Sequence, residues 1–224
     1  MEWKGLPIVI FGSGGISKET YYIIEEINFN NNTKVYDFLG FIEDNESKIG
    51  DEVINGYKVI ASDNNFEEYT KDFALLGVVI PIGTPKVKSI IYNGIKSIEN
   101  IVFPNIIHPN VKYDKNSVLM GKGNVFAAGV SLTCNINIGD FNLLNLNATV
   151  GHDTKIGDFN VINPLAAISG DINLSNLCLI GTGAKVLQQL TINNGATVGA
   201  GAVVVKDVEE KATVVGVPAK KIKS

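Results

Sequence analysis

Cysteine, histidine and tryptophan are scarce in this sequence of 224 residues, with two, two and one copies. Cys134 and Cys178 alone make neither a disulfide framework nor a close-spaced zinc set, so no metal site is expected. Although 45% of the residues are hydrophobic, no unbroken run approaches the roughly 20 residues of a membrane-spanning helix. The opening Met1-Glu2-Trp3-Lys4 leads into a strand and does not read as a secretory signal. A formal net charge of -4 lacks the basic excess of a nucleic-acid surface. A cytoplasmic protein with no nucleic-acid or membrane partner is the expectation.

What the chain does have is a repeat. Stepping by six from Met120 through Phe126, Leu132, Ile138, Leu144, Val150 and onward to Val204 meets an apolar residue every time. In a given register that run arises by chance roughly once in 10^5. Small or turn-forming residues follow many of these positions, among them Gly139, Gly151 and Gly181. Four residues on, small side chains recur: Ala148, Thr154, Ala166, Cys178, Ala184, Ala196 and Ala202. A period of six is neither helical nor a simple strand alternation. It fits a solenoid whose segments each supply one short strand and one corner, three segments to a triangular coil. Equivalent residues in adjacent coils then stack about 4.8 Å apart. The spacing predicts a parallel β-helix from about Met120 to Val208 and leaves its hand open.

The pattern before the repeat is different. Pro7-Ile8-Val9-Ile10-Phe11 reads as a buried parallel strand. Gly12-Ser13-Gly14-Gly15 follows, with Ser17 as a candidate N-cap of a helix to about Ile27. Further strands are expected at 38–42, 74–80 and 101–103, with helices at 63–69 and 85–97. This is a βαβαβ, Rossmann-like unit. The expected division is 1–104 for this α/β domain and 105–224 for the β-helix. Gly12, Ser13, Gly14 and Gly15 could turn backbone N–H groups toward a phosphate; a purely structural tight turn is the alternative. Glu43 and Asp44 end the second strand, where open α/β sheets bind ligands, or form only a polar turn.

His152 stands out. It lies in Thr149-Val150-Gly151-His152-Asp153, two residues past an interior Val, and so sits near a corner, outside the core. A shift of one coil places Cys134 below it and Gly170 above; Asp153 stacks near Asn135 and Asp171. An outward imidazole beside a carboxylate suits a general base. The Gly170 N–H is a candidate oxyanion donor. The small residues of 181–184 and 199–202 could bed an extended acyl carrier against bare backbone. His108, next to Pro109, reads as structural.

Five segments carry a family resemblance: Ile10-Phe11-Gly12-Ser13-Gly14-Gly15, Gly40-Phe41-Ile42-Glu43-Asp44-Asn45, Ile107-His108-Pro109, Val150-Gly151-His152-Asp153 and Gly216-Val217-Pro218-Ala219-Lys220. In order and spacing the chain resembles the bacterial sialic acid O-acetyltransferase and nucleotide-sugar N-acetyltransferase family of the NeuD/PglD type. The resemblance implies a left-handed hexapeptide-repeat β-helix, a homotrimer with sites between subunits, acetyl-CoA as donor and a nucleotide-linked amino sugar as acceptor. It implies His152 as base, Asp153 as its support and Asn145 near the acceptor. It implies Gly170, Thr182 and Ala200 at acetyl-CoA, and Gly12 to Gly15 with Glu43 and Asp44 at the acceptor nucleotide. The family commonly carries His where this chain has Ile16 and Val161. Leu187-Gln188-Gln189 replaces a Pro-containing turn. Lys206, Lys220, Lys221 and Lys223 could meet coenzyme A phosphates, or Lys221 and Lys223 could form a solvated tail.

The function expected is direct acetyl transfer to the amine of a nucleotide-linked sugar, such as a UDP-4-amino sugar, in glycan biosynthesis. A hydroxyl acceptor of the sialic acid type is the alternative. A non-enzymatic nucleotide-binding β-helix is a third reading.

Overall fold

The computed structural model of the protein describes residues 3–223; Met1, Glu2, Ser224 and the Lys223 side chain lie outside the described residues. The chain divides into two compact units. One ends at Pro109; the other begins at Asn110 and also takes in Thr84–Lys86.

The first unit is a twisted sheet with helices. Its elements run β1 (Leu6–Phe11), α1 (Gly15–Phe29), β2 (Tyr36–Glu43), β3 (Glu52–Ile54), β4 (Tyr57–Ser62), α2 (Phe66–Thr70), β5 (Leu76–Val79), α3 (Pro85–Ile95) and β6 (Ile101–Val102). The strand order is β3-β4-β2-β1-β5-β6. All neighbours are parallel except β3 and β4. The run Ile8 to Phe11 is buried because β1 lies in the middle of the sheet. Tyr21, Ile23 and Ile24 form the buried stripe of α1, at the spacing that keeps apolar residues on one helical face. Tyr21, Phe38 and Tyr57 cluster with centroids about 5 Å apart.

Two local readings are corrected. Ser17 is not the N-cap: α1 begins at Gly15 behind Gly14, and Ser17 is buried in the first turn with its hydroxyl toward the Phe11 carbonyl. The hairpin of β3 and β4 was not expected. Its two-residue turn is Asn55-Gly56, with φ of 51° and 81°, the left-handed pair that matches strand twist.

The second unit is the left-handed β-helix. Its three faces are parallel sheets. Face A stacks Ser131–Leu132, Thr149–Val150, Ala167–Ile168, Lys185–Val186 and Val203–Val204. Face B runs from Val118–Met120 to Thr191–Ile192. Face C runs from Val125–Phe126 to Thr213–Val215, and Lys220–Lys223 folds back antiparallel on its last strand. Pairings from Val118 through Val204 join residues 18 apart, as in Ser131 to Thr149; the last coil is two residues shorter, with Thr197 paired to Thr213. From Phe126 to Val204 each sixth residue is buried; Met120, in the opening strand of face B, is half-exposed.

Up to Val204 each corner turns through one left-handed residue. Asn135, Asp153, Asp171 and Gln189 do so between faces A and B; Phe141, Phe159 and Leu177 between B and C; Asn147 and Leu165 between C and A. A side chain there costs about 1–2 kcal/mol, which contacts between coils offset. Phe141 and Phe159 stack with planes 3° apart. Buried Asn124, Asn142 and Asn160 form a ladder at the B–C edge: the side-chain oxygen of each accepts the backbone N–H one coil above, at 2.8, 2.9 and 2.8 Å. Cys178 caps that ladder, and burial pushes its thiol up to about 11.

Candidate active site

The A–B edge carries a column in which Cys134, His152, Gly170 and Gln188 stand one coil apart, beside Asn135, Asp153, Asp171 and Gln189. Backbone bonds tie the coils together here. The Asp153 N–H donates to the Cys134 carbonyl, the Asp171 N–H to His152 and the Gln189 N–H to Gly170, at 3.1, 2.7 and 3.1 Å. The left-handed turn at Asp153 (φ 59°) folds its carboxylate against the ring of the preceding residue.

His152 Nδ1 lies 2.7 Å from Asp153 Oδ2, with both side chains more than half exposed. Asn135 donates to the other oxygen of Asp153 at 3.2 Å. The hydrogen bond from His152, then that from Asn135, holds the Asp153 carboxyl below the usual carboxylate range. An Nδ1–H bonded to a carboxylate leaves Nε2 as the proton acceptor. Nε2 sits over Gly170: a Cβ there would lie 2.6 Å from it. His152, Asp153, Gly170, Asp171, Gln188 and Gln189 line one open depression. Sequence reasoning paired His152 with Gly170 but did not assign the two glutamines to this site, although the one-coil shift from Gly170 leads to Gln188.

Asn145, Thr182 and Ala200 are elsewhere. They occupy the C–A edge, the far side of face A. Asn145 is buried and donates to Asn163 at 3.3 Å. Thr182 and Ala200 are exposed. Beside them Gly183 and Gly201 have φ of 68° and 67°, and an added Cβ on either would meet nothing within 4 Å. At those two glycines the edge is bare backbone; one coil below, Leu165 puts an exposed side chain on the same edge. Val161, where the resemblance suggested a histidine near acetyl-CoA, is fully buried. Lys206 and Lys221 line a small depression at the last coil. Lys221 is not a free tail: it belongs to the final strand and pairs with Glu209 at 2.6 Å.

In the first unit, the Gly12 N–H donates to Ile42 at 2.7 Å, which brings the ends of β1 and β2 together. The Ser13 N–H donates to Glu43 Oε1 at 2.7 Å, its hydroxyl donates to the same oxygen, and Lys48 reaches Oε2 at 3.1 Å. Burial raises the Glu43 carboxyl, but Ser13 and Lys48 together outweigh it, leaving a net lowering. The first turn of α1, Gly15 onward, has no side-chain cap. Asp44 is exposed, and Asp63 stands near it and Glu43; burial and those two charges raise the Asp63 carboxyl.

Residues 7–95 match the family model of the PglD N-terminal domain. No curated protein sequence matches the chain. Three solved structures show its likeness over nearly the full length. The acetyltransferase domain of PglB from Neisseria gonorrhoeae, in complex with acetyl coenzyme A, is 26% identical with a TM-score of 0.86, covering 97% of this chain and 100% of that one. WeeI from Acinetobacter baumannii is 29% identical with a TM-score of 0.81 and the same coverage. PerB from Caulobacter crescentus, in complex with CoA and GDP-perosamine, is 25% identical with a TM-score of 0.85, covering 96% of this chain and 97% of that one. Among the described residues no helix is long and apolar enough to cross a membrane.

Proposed function

We propose that this chain, whose N-terminal unit belongs to the PglD N-terminal domain family, transfers the acetyl group of acetyl-CoA to the amine of a nucleotide-linked amino sugar. The observation that carries the reading is the His152–Asp153 pair, with Nε2 facing out over Gly170. The amine nitrogen attacks the thioester carbonyl and its proton passes to Nε2. Asp153 stabilises the resulting imidazolium. The Gly170 N–H would hold the oxyanion of the tetrahedral intermediate. Collapse breaks the C–S bond, and the leaving thiolate takes the proton back from His152. The transfer is direct and needs no covalent enzyme intermediate.

The donor site is read across two chains. Gly170 lies at one edge of face A, and Thr182 and Ala200 at the other. A homotrimer would set the C–A edge of one copy, with Asn145 in it, against the His152 column of its neighbour. Gly12 to Gly15, Glu43 and Asp44 would receive the nucleotide of the acceptor, a UDP-4-amino sugar being one such compound. A cytoplasmic location is part of this proposal, since acetyl-CoA and a nucleotide-linked sugar would have to reach the chain together.

The test is thiol release from acetyl-CoA with a panel of UDP-, GDP- and dTDP-linked amino sugars and hydroxyl sugars. Turnover is expected only with amines; release with hydroxyl sugars alone would overturn the acceptor assignment. His152→Ala should lower the rate by roughly 10²–10⁴, and a fully active variant would remove the general base from the account.

A further inference from the structure

We propose that Asn135 is a positioning residue for the acetyl transfer, fixing the Asp153 carboxylate that orients His152; the proposal rests on the catalytic reading above. The geometry is a chain of three side chains. Asn135 Nδ2 donates to Asp153 Oδ1 at 3.2 Å, and Asp153 Oδ2 meets His152 Nδ1 at 2.7 Å. Both Asn135 and Asp153 are left-handed, with φ of 55° and 59°, one coil apart at the same corner. That shared turn sets the amide of one beneath the carboxylate of the other.

Asp153 needs such an anchor. Its carboxylate is more than half exposed, so water competes for every hydrogen bond it makes. The coil above places Asp171 in the same column, a like charge that favours rotation of Asp153 away. The other titratable groups around the ring are Cys134 below and Lys155, which lines a neighbouring depression with Asp153 and Asp171. Asn135 is the donor that holds the second carboxylate oxygen, leaving the first aimed at Nδ1. A ring pinned in this way presents Nε2 in one orientation over Gly170; partners that orient metal-bound histidines matter by roughly 10–100-fold, and the lower end of that scale is expected for this ring.

Two substitutions separate this role from that of the turn. Asn135→Gly keeps a residue at ease with positive φ and removes the donor. Asn135→Asp keeps the turn preference and replaces the donor with a charge. Both should lower kcat about tenfold with little change in KM for either substrate. The NMR signature of the His152 ring, one of two histidines in the chain, should lose its preference for the Nδ1–H tautomer in Asn135→Gly. In a His152→Ala background, Asn135→Gly should cost nothing more. Wild-type kcat and an unchanged His152 tautomer in Asn135→Gly would overturn the proposal, as would an undiminished loss in the His152→Ala background. A fully active His152→Ala protein would instead sink the catalytic reading itself, so the two failures are distinct.

Discussion

A methyl group on Gly170 would lie 2.6 Å from His152 Nε2 and 2.7 Å from Cε1. Gly170 has no positive φ that demands glycine; the ring above it does. The expected result for Gly170→Ala is an intact fold with a displaced imidazole. Misplacement of a reacting group by about 1 Å costs on the order of 10²-fold in rate. Thermal unfolding and kcat, measured together, check this. Unchanged kcat would count against a role for the ring in the orientation it takes over Gly170.

The buried asparagine ladder makes a prediction about stability. Asn142 accepts from the Asn160 N–H, donates to the Gly157 carbonyl at 2.9 Å and has its own N–H bound to Asn124. Asn142→Ala removes this partner from the buried N–H and side-chain amide of Asn160 and from the part-buried Gly157 carbonyl. Each such group costs about 1–3 kcal/mol, so denaturant unfolding should show a loss on that scale. The edge that carries His152 has no part in this ladder, and kcat in the folded variant should hold.

Asp63 supplies a pH-dependent test. Burial, then Asp44 and Glu43, raises its carboxyl above the ordinary value. A carboxyl raised in the folded state gives full stability while both states are protonated, and loses it as pH rises through the folded value. Asp63→Asn should therefore stabilise the protein at neutral pH, with the gain fading toward pH 3. Unfolding curves at several pH values measure it; a gain independent of pH would assign the effect to something other than charge.

The coils were readable because a strict register of six leaves little else possible, and the same shift by 18 found Cys134, Gly170 and Asn135 around His152 before any coordinates. Three things escaped. The hairpin at Asn55-Gly56 carried a strong turn signal, but its strand β3 is only three residues long and its alternation is weak. Ser17 looked like a cap because Ser is favoured there, yet Gly14 takes that place in extended backbone and the serine is drawn inward. The buried asparagines drew no reading from the sequence, since their burial depends on partners 18 residues away. In the N-terminal unit, Ser13 and Glu43 were expected at adjoining strand ends, and the two are hydrogen-bonded; the contribution of Lys48 was invisible without the loop geometry.

Because neighbouring coils pair residues 18 apart up to Val204, the length of that stretch is quantised; only the terminal coil, with no further coil stacked beyond it, runs two residues short. One residue inserted into a strand would shift the threading of every turn after it, like a stripped screw, and carry Gly170 away from the ring it accommodates. Tolerable changes are whole extra turns, or loops that bulge from a corner and return in phase. The molecule can grow as a column grows, by drums, while the distance from the imidazole to its neighbours stays the same.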